Sequence, residues 1–82
     1  MRRMDRVGPQ HIRSILAVTD ALHVHRESVS VPLATRGEGG VRRTEAGRIE
    51  IVVPSTLDFE TWLVALPARI RALDLSGVRR TD

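Results

Sequence analysis

Between Pro9 and His25, apolar side chains recur three and four residues apart at Ile12, Ile15, Leu16 and Leu22, with Thr19 in the same series. Gln10, Arg13, Ser14, Asp20 and Arg26 take the other side. That period predicts an amphipathic helix over 9–25, with Pro9 suited to its first turn. The pattern then changes to alternation. In "SVSVPL" (28–33) Val29, Val31 and Leu33 alternate with Ser28, Ser30 and Pro32, and in "RIEIVVP" (48–54) Ile49, Ile51 and Val53 alternate with Arg48, Glu50 and Val52. Both read as half-buried strands, the first at an edge or bulge because Pro32 cannot donate to a ladder. From residue 54 the helical period returns. Phe59, Trp62, Leu63, Leu66, Ile70 and Leu73 form one stripe that keeps its phase across Pro67, so one kinked helix is expected within 54–77. Ser55 is its expected cap, with Asp58 three residues on, and Gly77 its stop.

These elements predict a small single α+β domain over 9–77, in the order helix-strand-strand-helix. Residues 28–33 and 48–53 would pair as an antiparallel β-hairpin, with the helices packed on one face. Residues 1–8 and 78–82 are expected to be flexible basic tails. The connection between the strands is long for a hairpin, which ordinarily takes about 2–5 residues. It contains "TRGEGGVRRTEAGR" (35–48), with four glycines and four arginines against Glu38 and Glu45. Residues 36–47 are expected to be the most mobile internal segment, a solvated turn. The alternative is a basic arm in which Arg36, Arg42, Arg43 and Arg48 contact an acidic partner or nucleic acid.

Composition narrows the chemistry. The chain of 82 residues has no cysteine, which excludes disulfides and thiolate metal sites. A chain this short buries only roughly 60–65% of its unfolded surface, so self-association is the stabiliser left open. All thirteen basic residues are arginine, and the net charge is +3. The isoelectric point near 11.3 therefore overstates the basic character. Abundant Arg, Ala, Val and Gly with no Lys or Tyr reflect high-GC, bacterial-type codon usage. No apolar run approaches the roughly 20 residues of a membrane span. No apolar core follows the basic start "MRRMDRVGPQ", so a cytoplasmic protein without a secretory leader is expected.

Sites for catalysis are hard to find. His23, His25 and Glu27 would share a face on a strand, but on the predicted helix the two histidines point about 200° apart, so no metal site is expected. Asp58, Glu60, Glu45 and Glu50 have no desolvating neighbours to make an acid–base pair. "GEGG" (37–40) leads towards a strand and not into a helix, unlike a phosphate-cradling loop. Trp62 and Phe59 lie on or beside the apolar stripe and are expected in the core. No enzyme activity and no cofactor are expected. The predicted function is a protein-interaction module, a homodimer or a subunit of a larger assembly, with other protein partners open to it. Val29, Val31, Ile51, Val52 and Trp62 are the candidate self-association residues. A nucleic-acid-binding regulator using the basic arm is the alternative.

Overall fold

The computed structural model describes residues 6–79. Its elements are α1 (Pro9–Ala21), a 3-10 turn (Arg26–Ser28), β1 (Val29–Ser30), β2 (Gly40–Arg43), β3 (Ile49–Val52) and α2 (Phe59–Arg71). This is an α+β domain, but its sheet has three strands in the order β1-β3-β2. β1 runs parallel to β3, whereas β2 is antiparallel to it.

The expected pairing of 28–33 with 48–53 as a hairpin is thus corrected twice. β1 is only two residues long and parallel, and the true hairpin joins β2 to β3. Pro32 accounts for the shortness of β1, since it has no N–H to extend the ladder. Beyond it the chain takes another neighbour: the Val7 N–H donates to the Leu33 carbonyl at 2.9 Å, and Arg6 bridges Ala34 antiparallel. The second strand of the hairpin comes from inside the glycine-rich segment, so 36–47 is not one long connection. The turn that closes the hairpin has a three-residue loop. Gly47 N–H donates to the Thr44 carbonyl and Thr44 N–H to the Arg48 carbonyl. Gly47 sits at φ +75°, the left-handed position such a turn requires. A Cβ there would lie 2.6 Å from the Gly77 carbonyl oxygen, so only glycine fits.

Helix α1 stops four residues before the predicted end, for a reason visible in its last turn. Val24 N–H donates back to the Thr19 carbonyl and His23 N–H to that of Asp20, both at 3.0 Å. This is a Schellman closure, and it places His23 in the left-handed region at φ +61°, where glycine is the usual occupant. The completely buried Val24 anchors the turn. A side chain in that conformation costs about 1–2 kcal/mol, whereas glycine adds unfolded-state entropy. His23→Gly is accordingly expected to raise the urea midpoint by the equivalent of about 0.5–1 kcal/mol. At the other end, Gly8 offers no capping side chain, and His11 Nδ1 accepts the Gly8 N–H at 2.9 Å.

Helix α2 is single and continuous through Pro67, with bounds tighter than expected. Its cap is Asp58 and not Ser55: the Asp58 carboxylate accepts from Thr61 N–H and Thr61 Oγ1, each at 3.1 Å. The apolar stripes meet over one face of the sheet. Ile15 of α1 and Trp62, Leu66 and Ile70 of α2 pack with Ile49, Ile51 and Val53. Val7 and Val78 join them, so the packed unit extends past the expected 9–77 limits at both ends. The rest of the expected tails, 1–5 and 80–82, lies outside the described residues. Among the described residues no helix is long and apolar enough to cross a membrane.

Candidate functional site

The sheet face turned away from the helices, together with the segment leading into β2, forms a shallow cleft of about 580 Å³. Arg36–Arg42, Glu50 and Val52 line it. The approach to β2 is held by backbone bonds: Arg36 N–H to the Val53 carbonyl, and Ser55 and Thr56 N–H to that of Gly37. Gly39 is pressed against the end of β3. At φ +70°, a Cβ on it would meet the Val52 carbonyl oxygen at 2.5 Å and the Pro54 nitrogen at 2.8 Å.

Four ionisable side chains line this cleft, two arginines and two glutamates, so their formal charges cancel. Arg42 is already occupied. Its Nε donates to Glu50 Oε1 at 2.9 Å across the β2–β3 pair, and this bond raises the guanidinium above its ordinary value. Arg43 goes the other way and donates to the Ser76 carbonyl at 2.6 Å. Arg36 and Arg48 have no side-chain partner among the described residues. They stand at opposite ends of β3, since Arg36 pairs with Val53 whereas Arg48 precedes Ile49. The five residue steps from position 48 to 53 span about 17 Å of extended chain. The four predicted arginine contacts are therefore not gathered into one patch.

The predicted self-association residues also separate. Ile51 is completely buried and Trp62 is 2% exposed. Val29 and Val31 are half-buried against the core. Only Val52 stands on the open face, beside Gly40 across the ladder. β3 has a neighbour on each side, so Ile51 and Val52 stand on a strand with no free edge. The longer edge strand is β2, which sequence patterning missed; β1, with two residues, is the other edge. "GVRR" has one apolar residue and no alternation; the detectable signal was "TEAGR", a three-residue turn ahead of a clear strand.

The geometry of that edge follows from the turn. Because Thr44 and Arg48 form a hydrogen-bonded pair, so do Arg42–Glu50 and Gly40–Val52. The backbone groups of Val41 and Arg43 then point away from β3, and nothing among the described residues pairs with them. Trp62 Nε1 is the one buried side-chain polar atom found without a partner among the described residues.

Other shifted acids are surface pairs. Arg26 holds Asp20 below its ordinary value, and the Ser76 hydroxyl and N–H, with Arg43 nearby, do the same for Asp74. His25 Nδ1 accepts the Glu27 N–H at 3.1 Å and caps the 3-10 turn. Among the described residues no three His, Asp or Glu side chains are grouped to hold a metal ion. No family model matches this chain, and no curated protein or solved structure is significantly similar to it.

Proposed function

We propose that this protein is a small non-enzymatic interaction module that works as a homodimer, with the free edge of β2 as its contact. The observation that supports this reading is the pair of outward-facing backbone positions, Val41 and Arg43, on a strand with a neighbour on one side only. Such an edge is a template for another strand. Charge chooses the register. An antiparallel pair centred on Arg42 or on Arg43 would set like charges directly opposite each other, which is destabilising. Centring on Val41 pairs it with Val41 of the second copy and sets Arg42 and Arg43 opposite glycines 40 and 39. No charge then faces a like charge.

The expected result is a dimer mass by light scattering at tens of micromolar. Val41→Pro removes an outward N–H that β3 does not use, so the fold should survive whereas the dimer should not. Val41→Thr keeps the N–H and should remain dimeric. A monomeric wild type, or a dimer indifferent to proline at 41, would sink this reading. The nucleic-acid alternative has less support, because the cleft carries no excess charge and its two free arginines are far apart.

A further inference from the structure

At the end of the sheet away from the cleft, the β2–β3 turn meets the 3-10 turn and the segment after α2. Between them lies a pocket of about 350 Å³, lined chiefly by Glu27, Ser28, Gly47, Arg48, Gly77 and Arg79. That volume is at the small end for ligand sites, which run from roughly 300 to 1,000 Å³. Its lining is built from three separate parts of the chain, and at one side of it turn and tail touch, a Cβ on Gly47 falling 2.6 Å from the Gly77 carbonyl oxygen.

Three features give the pocket a chemical preference. Ser28 is only 4% exposed, and its hydroxyl makes no hydrogen bond within the described residues. It is not sealed from solvent as Trp62 Nε1 is, and the space it lines is this pocket. Arg48 brings a guanidinium with no partner among the described residues. Arg79 brings a second, whose Nη1 lies 3.0 Å from Glu27 Oε2. Both members of that pair are well exposed, at 68% and 71%, so solvent screens it and rearranging it costs little. A solvent-reached hydroxyl on an otherwise buried residue, lining one pocket with two cations against one anion, is suited to donate to an oxyanion.

We propose that this pocket binds the phosphate group of a small ligand. Arg48 and Arg79 would donate to its oxygens, and the Ser28 hydroxyl would supply a further donor. A carboxylate is satisfied by a single guanidinium fork. A phosphate group carries close to two negative charges and three acceptor oxygens, which matches two guanidinium groups and a hydroxyl. The site is at the other end of the sheet from the Arg36–Arg42 cleft and does not depend on strand pairing at β2.

Titration of the full-length chain with inorganic phosphate and with glycerol 3-phosphate, followed by amide NMR in low salt, tests this. Saturable shifts are expected at Ser28, Gly47, Arg48 and Gly77. Arg48→Ala, an exposed position that carries no folding risk, is expected to weaken both probes about tenfold, the loss of a charge-assisted contact. Arg48→Lys should recover part of the affinity, since charge returns without the fork. Tighter binding of glycerol 3-phosphate than of inorganic phosphate identifies an organic phosphomonoester as the ligand class, and equal binding identifies free phosphate. No saturable shift with either probe, an affinity unchanged by Arg48→Ala, or shifts confined to Arg36–Arg42 would each overturn the proposal.

Discussion

Gly39→Ala is expected to remove much of the stability of this fold, about 2–4 kcal/mol. Two costs combine. The residue sits at φ +70°, where a side chain costs about 1–2 kcal/mol. The new Cβ would also fall 2.5 Å from the Val52 carbonyl oxygen and 2.8 Å from the Pro54 nitrogen. Both are backbone atoms, fixed by the end of β3, so neither can swing aside. Gly37→Ala is the comparison that separates the two costs. Gly37 also has positive φ, at +48°, but nothing lies within 4 Å of its Cβ position. Its replacement should cost only about 1 kcal/mol or a little more. A domain of this size has roughly 5 kcal/mol or slightly more in total, so the difference is readable as a large shift in urea midpoint. Equal effects at 37 and 39 would show that the loop does not pack against Pro54 as described.

Ile51→Ala should be at least as damaging. Ile51 is completely buried in the central strand, opposite Val41 and under the helices. Truncating such a side chain costs about 2–5 kcal/mol, from lost transfer energy and the cavity left behind. Val52→Ala, one residue along on the open face, should cost well under half as much. This contrast matters because the sequence marks both as candidates for self-association. Chemical denaturation and light scattering on the same samples distinguish the roles. A stable Ile51→Ala protein that had merely lost its dimer would place Ile51 at an interface and contradict its burial.

The sequence made the helices and β3 legible because each repeats its period over several residues. Ile12 and Ile15 mark one stripe, and Phe59, Trp62, Leu66 and Ile70 the other; these residues belong to or pack against the core that holds Ile49 and Ile51. What was not legible depended on single residues and on partners distant in sequence. α1 ends where His23 accepts a left-handed backbone, which no rule of composition assigns to histidine. β2 exists because β3 offers it a ladder, and its own "GVRR" has too little pattern to announce a strand. The parallel placement of β1 is tertiary, since alternation at Val29 and Val31 marks a face and says nothing of direction. The pocket between Ser28, Arg48 and Arg79 was out of reach for the same reason: its residues are separated by up to more than half the chain and share no motif.

The blunting of β1 bears on how many copies can join. On that side the edge is short: β1 has two residues, Pro32 interrupts the ladder, and beyond it Val7 and Arg6 occupy Leu33 and Ala34. Among the described residues β2 is the longer edge, with four residues against two in β1. A protein with two open edges can add neighbours indefinitely and build a fibre. With one full-length edge, a symmetric contact consumes it in both copies and leaves only two-residue stubs facing outward, so assembly through the sheet is expected to terminate at two.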